Sequence, residues 1–169
     1  YEGASELRPP RPYRLTKMLF QRASEGVYVA TFNDPSLLNS WEFPRDFQEM
    51  QLLVEHVARD DRIRVIVWTG AGRAFSAGVR LSPSPGPRVA KAIWDGYVHA
   101  GIARKEDDRS LSGLTRQMVK LQKFSIAAVN GLAIGGALNI AFVFQDLAYV
   151  AETATFRYPF TEMGITPEL

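Results

Sequence analysis

Cysteine is absent from this chain of 169 residues, which excludes a disulfide framework, a thiolate nucleophile and every cysteine-based metal site. Histidine is nearly absent: His56 and His99 are the only two, and neither has a second histidine at ligand spacing, so no metal is expected. An excess of one charge is missing as well. The 20 lysines and arginines are matched by 18 aspartates and glutamates, giving a formal net charge of +2. No block of like charge occurs, so a nucleic-acid surface is not expected. Nor does any apolar run reach membrane-spanning length: the nearest, Ile126 to Phe144, is broken by three glycines and two asparagines.

What is present is the material of one globular domain, with 46% hydrophobic residues in a length that buries a sizeable core. Residues 1–12, rich in Pro and Arg, read as an extended arm ahead of a core domain at 13–169. Arg14 to Phe20 and Val27 to Phe32 read as two strands joined through Ser24-Glu25-Gly26. Residues 43–60 read as a helix, because Phe43, Phe47, Met50, Val54 and Val57 recur every three or four positions and Pro44 suits its first turn. His56, on this helix, reads as a surface or boundary side chain. Arg64 to Thr69 is a buried strand running into Gly70-Ala71-Gly72-Arg73. Residues 82–88 read as loop, 89–103 as a helix that carries Gly96, His99 and Gly101, and 110–122 as another with Leu111, Leu114, Met118 and Leu121 on one face.

The chain is organised around Phe124 to Asp146. Ile126 to Val129 reads as a buried strand, Asn130-Gly131 as a turn, and Gly135-Gly136 as the lead into a helix from Ala137 to Phe144. Strand, glycine pair and helix together aim main-chain N–H groups outward, since the first amides of a helix lack internal partners and favour negative charge. Glycine lets a ligand approach the main chain. The functional reading is a site for a developing anion; a tightly packed strand-to-helix turn is the other, and the residues alone leave both open. Ser76-Ala77-Gly78-Val79-Arg80, after the strand at 64–69, is a second place where main-chain amides face a ligand. Leu147 to Ala151 reads as a further strand. The chain closes on Ile165-Thr166-Pro167-Glu168-Leu169 with no terminating helix or cap, as though more protein follows.

Three stretches in order, IRVIVWTGAGRAFSAGVRL, IAAVNGLAIGGALNIA and ETATFRYPFTEMGITPE, resemble the crotonase, or enoyl-CoA hydratase/isomerase, superfamily. VYVATFNDPSLLNSW resembles its first strand pair and entry loop, so the resemblance covers about residues 13–169. It implies an α/β fold, a crotonase-like spiral of repeated ββα units, here lacking the usual C-terminal helical region. It also implies a substrate carried as a coenzyme A thioester, with no separate cofactor. The matching oxyanion donors are the Val79 and Gly136 amides, and the matching substrate-binding positions are Ser76, Ala77, Gly78, Val79, Arg80, Gly135 and Gly136. The family often has Asp where this chain has Arg80.

Hydratases of the superfamily place glutamates where this chain has Asn139 and Phe160, neither of which can act as a general base, so ordinary hydration is not implied. Glu168 resembles the carboxylate of single-glutamate isomerases that convert 3-enoyl-CoA to 2-enoyl-CoA, and is the implied catalytic residue; without the resemblance it reads as an ordinary loop carboxylate beside a proline. Glu162 reads as a surface or helix-capping residue. The resemblance further implies a trimer-based homo-oligomer. The alternatives are a catalytically inactive structural subunit of a larger complex and another CoA-thioester reaction of the superfamily. Mitochondria or peroxisomes are the implied compartment for eukaryotic fatty-acid metabolism, and the cytoplasm otherwise.

Overall fold

Alternation builds the first strands of the computed structural model, which describes residues 15–43, 45–80 and 111–164. The N-terminal arm, Pro44, the loop at 82–88, the expected helix at 89–103 with His99, and Glu168 lie outside the described residues. β2 (Val27–Phe32) buries Tyr28, Ala30 and Phe32 and turns the residues between them toward the other face, the period of two that a strand requires. It pairs antiparallel with β1 (Met18–Ser24), from Met18 opposite Phe32 to Ser24 opposite Val27, with a register shift between Arg22 and Ser24. β1 therefore starts later and runs further than the sequence suggests. The residues before it leave the sheet for another partner: the Thr16 and Lys17 amides and the Thr16 hydroxyl all donate to the Glu49 carboxylate.

The remaining strands come in pairs. β3 (Val65–Gly70), β5 (Phe124–Val129) and β7 (Leu147–Val150) extend the first sheet in parallel, in the order β1-β2-β3-β5-β7. Each is followed by a short strand of a second parallel sheet, β4 (Ala74–Ser76), β6 (Leu132–Ile134) or β8 (Phe156–Arg157), ordered β4-β6-β8. α1 (Arg45–Arg59) follows β2, α2 (Leu111–Val119) precedes β5, and α3 (Gly136–Phe142) follows β6. Successive ββα units thus stack as turns of a spiral, the architecture that the resemblance implies. At the corners the backbones nearly touch. A Cβ at Gly70 would stand 2.1 Å from the Ala74 carbonyl oxygen, and one at Gly131 2.1 Å from that of Arg73, so neither position takes another residue without movement. Two asparagines stitch these corners. Asn39 donates to the Ala71 and Ala74 carbonyls, while Asn130 accepts from the Gly70 amide and donates to the Gly72 carbonyl.

Three short strands are not legible in the sequence: β4, which pairs with β6, and two more. β6, of three residues, lies between the Asn130-Gly131 turn and the glycine pair, and β8 has only two residues. Segments so short carry no periodicity; pairing with β4 defines β6, and pairing with β6 defines β8. The helix of the organising stretch begins at Gly136 and ends at Phe142, earlier than Phe144.

The core lies between the sheets and the helices. Trp68, Phe75, Ile66, Ile63 and Leu114 are wholly buried. The α1 stripe of Phe47, Met50, Val54 and Val57 is buried as its spacing requires, while Phe43 is half-exposed and rests on Phe47 at 5.8 Å between ring centroids. α1 also buries Asp46, Gln48, Glu49 and Gln51, so more of its circumference is covered than one stripe. α2 packs on α1 and contributes Leu114 and Met118. His56 is half-buried, edge-on to Phe20 at 5.8 Å, and burial lowers its pKa below the usual imidazole value. Among the described residues no helix is long and apolar enough to cross a membrane.

Phe75 sits on β4 with its ring edge-on to Phe32 at 5.5 Å and no exposed surface. Phe75→Ala is expected to lower unfolding free energy by about 3–5 kcal/mol, the usual cost of emptying a buried aromatic site, read as the urea midpoint at unchanged m-value.

Candidate active site

The loop after β4 is pinned almost atom by atom. The buried Ser76 hydroxyl donates to the Asn39 carbonyl at 2.7 Å and accepts the Gly78 amide at 3.0 Å. The Ala77 amide donates to the Leu38 carbonyl at 2.8 Å. Gly78 takes φ +75, a region that suits glycine. Its carbonyl then accepts the Trp41 amide at 2.9 Å, and the Arg80 amide donates to the Trp41 carbonyl at 2.8 Å, forming an isolated parallel bridge between Trp41 and Val79. This arrangement fixes one direction. The Gly78 carbonyl and the Val79 N–H belong to the same peptide plane, and in a trans peptide they point opposite ways. With the carbonyl tied to Trp41, the Val79 N–H is turned away from Trp41.

The second loop is built at the end of β6. Gly135 has φ 58 and ψ −125, donates its amide to the Arg157 carbonyl at 2.9 Å and accepts the Leu138 amide at 2.9 Å. Gly136 opens α3, so its N–H has no helical carbonyl to meet. The two loops are in contact. A Cβ at Gly78 would stand 2.4 Å from the Ile134 carbonyl oxygen and 3.8 Å from the Gly136 nitrogen. Among the described residues, neither the Val79 nor the Gly136 amide donates to a main-chain carbonyl. Of the residues expected from sequence, the structure therefore brings Gly78, Val79, Gly135 and Gly136 together, and uses Ser76 and Ala77 to hold the first loop.

Beside them stands a wall of three side chains. Asn139, three residues into α3 and buried, accepts the Tyr158 hydroxyl at 2.7 Å. Tyr158 and Phe160 meet edge-to-face at 4.7 Å, and the Phe160 ring tip stands 3.7 Å from where a Cβ of Gly135 would be. Further along, Phe156 meets Phe142 edge-on at 5.4 Å. Tyr158 is the residue that sequence reasoning missed. Its signal was there as spacing, since Phe156, Tyr158 and Phe160 recur at every second position, on and just after β8.

Arg80 does not point away freely: its Nη1 donates to Glu42 Oε1 at 3.0 Å. Glu162, on the surface, pairs with Arg157. Among the described residues, no group of three His, Asp or Glu side chains is arranged to hold a metal.

A mixed five-stranded sheet and a three-stranded parallel sheet, joined through tight glycine corners, define a crotonase-type fold. The chain belongs to the enoyl-CoA hydratase/isomerase family, whose model matches residues 22–169. It is similar to the 1,2-epoxyphenylacetyl-CoA isomerase of Escherichia coli K12, with 30% identity over 160 residues covering 91% of this chain and 55% of that one. A probable enoyl-CoA hydratase of Mycobacterium bovis is 32% identical over 150 residues, covering 88% of this chain and 50% of its own length. Among solved structures, an enoyl-CoA hydratase/isomerase from Mycobacterium paratuberculosis matches with a TM-score of 0.68 and 27% identity, over 90% of this chain and 56% of the other. The chain thus spans about half the length of these relatives.

Gly78→Ala tests the contact between the loops. The added methyl meets the Ile134 carbonyl and the positive φ costs a further 1–2 kcal/mol or so. The variant is expected to unfold at a clearly lower urea concentration than wild type.

Proposed function

We propose that this chain forms the acyl-CoA site of an enzyme that isomerises 3-enoyl-CoA to 2-enoyl-CoA, with the Val79 and Gly136 amides as oxyanion donors and Glu168 as the proton carrier. The observation that carries the reading is the contact between the Gly78 loop and the Gly136 helix start, where neither the Val79 nor the Gly136 amide donates to a main-chain carbonyl of the described residues. In the reaction, the Glu168 carboxylate takes a proton from the α carbon of the substrate. The C–H electron pair moves into the dienolate, whose negative charge rests on the thioester oxygen. Two N–H donors stabilise that oxygen more in the transition state than in the ground state, which is what accelerates the step. The same carboxyl group then returns the proton at the γ carbon, and the double bond has moved.

The wall of Asn139, Tyr158 and Phe160 favours isomerisation over hydration. Hydration needs a group that takes a proton from water, and no carboxylate stands among these three. Ser76, Ala77, Gly78, Arg80 and Gly135 complete the acyl-CoA site in this reading, and assembly as a trimer or within a larger complex belongs to the same proposal. A second reading, another CoA-thioester reaction of the family, draws support from the relatives named as hydratases and as an epoxyphenylacetyl-CoA isomerase.

Incubation with a 3-enoyl-CoA is expected to yield conjugated 2-enoyl-CoA, followed by its ultraviolet absorbance. Glu168→Gln is expected to lower kcat by about two orders of magnitude or more while acyl-CoA affinity holds. Unchanged turnover in that variant would remove Glu168 from the mechanism, and 3-hydroxyacyl-CoA as the main wild-type product would favour a hydratase.

A further inference from the structure

The peptide unit that presents the Val79 amide is flanked by glycine. Rotation of such a unit meets less steric resistance than elsewhere in a chain, because Gly78 accepts φ and ψ values closed to other residues. Its direction must therefore be imposed from outside. Two hydrogen bonds to Trp41 do part of this. The next residue on each side of the bridge does more: Glu42 follows Trp41, Arg80 follows Val79, and their side chains form an ion pair at 3.0 Å.

Glu42 is itself anchored. Its amide donates to Asp46 Oδ2 at 2.7 Å, and its Oε2 accepts Arg45 Nη2 at 3.0 Å, which leaves Oε1 for Arg80. Arg45 Nε also donates to Asp46 Oδ1 at 2.9 Å. Asp46 is buried in the first turn of α1, and Lys17 lies 3.9 Å from it and 3.0 Å from Asp34. A continuous set of charge-assisted contacts therefore runs from the first turn of α1 through Glu42 to Arg80.

We propose that Arg80 is a positioning residue for the Val79 oxyanion donor: its ion pair with Glu42 latches the Gly78–Val79 peptide in the orientation that a developing enolate oxygen requires. The inference rests on the functional reading above, in that it takes the Val79 N–H as a donor to the thioester oxygen. It assigns to Arg80 and Glu42 a task that neither performs by touching the reacting atoms. It also gives a reason for arginine at 80: a carboxylate there would repel Glu42 and loosen the loop.

The latch differs in its signature from two other roles for the same side chain. An exposed ion pair contributes little to global stability, so a stabilising role alone would leave turnover intact. A direct grip on the phosphates of coenzyme A would appear in KM for Arg80 variants and leave Glu42 variants unaffected or tighter. The latch requires that Arg80→Gln and Glu42→Gln act alike, on kcat, and not additively.

The experiment measures kcat and KM with a 3-enoyl-CoA for wild type, Arg80→Gln, Glu42→Gln and the double variant, with urea midpoints beside them. Each single variant is expected to lose about three- to tenfold in kcat, as small misplacements near a reacting centre do, with KM within about twofold. The double variant is expected to be no slower than the slower single one, and the urea midpoints to stay together. Additive losses, a rise in KM confined to Arg80→Gln, or unchanged kcat in both single variants would each overturn the latch. A parallel readout does not depend on turnover. Bound acetoacetyl-CoA reports its enolate fraction by near-ultraviolet absorbance, and both single variants are expected to lower that fraction equally. A wild type inactive on 3-enoyl-CoA would remove the isomerase reading, while the enolate signal would still decide the latch. An enolate fraction that is the same in wild type and both variants would overturn it.

Discussion

The contact between Gly78 and the Ile134 carbonyl is the constraint on which the rest of the site depends. No side chain fits between the two loops, since a Cβ at Gly78 would come within 2.4 Å of that oxygen. Only because the gap is closed does the loop after β4 lie against the start of α3. The spiral makes the closure possible. β4 and β6 are adjacent in the second sheet, so the ends of two successive turns meet there. What the sequence separates by more than fifty residues, one sheet register brings to van der Waals distance.

Proximity is not enough for catalysis, because an amide must also point the right way. At Val79 the direction comes from a carbonyl bonded on the far side of the same peptide plane. At Gly136 it comes from the helix, which leaves its first N–H without a partner. Both proposed donors are main-chain groups, so the proposed site does not use the Val79 side chain, which is about two-fifths exposed. The polar atoms nearby are largely committed to holding the frame: Ser76 and Asn39 pin the loop, and Glu42, Arg45 and Asp46 brace it from α1.

The wall beside Gly136 sets the character of the chemistry. Asn139 and Tyr158 bond each other, and Phe160 offers only a ring. Such a surface carries no carboxylate. Under the proposed mechanism the proton traffic falls to one carboxylate, which suits a reaction that returns the proton it takes. In that mechanism fixed dipoles would stabilise the charge and a single titrating group would shuttle the hydrogen.

Much of this was legible in the residues. Alternation in Val27–Phe32, the α1 stripe from Phe47 to Val57 and the apolar run Ile126–Val129 each define an element by a local rule, and the structure bears them out. The glycines at 78, 135 and 136 marked the two loops because main-chain exposure requires small residues. Other features have no local signature. β6 and β8 exist through their pairing partners, the start of β1 moved because Glu49 captures Thr16 and Lys17, and Tyr158 joined the wall because its hydroxyl meets Asn139 of α3. By itself, the sequence determined the longer strands and helices and which glycines leave the main chain bare, since those follow from periodicity and side-chain size. Which amides meet, which way Val79 points and what Arg80 holds were decided only by the tertiary structure, because each depends on a partner from a different turn of the spiral or from α1.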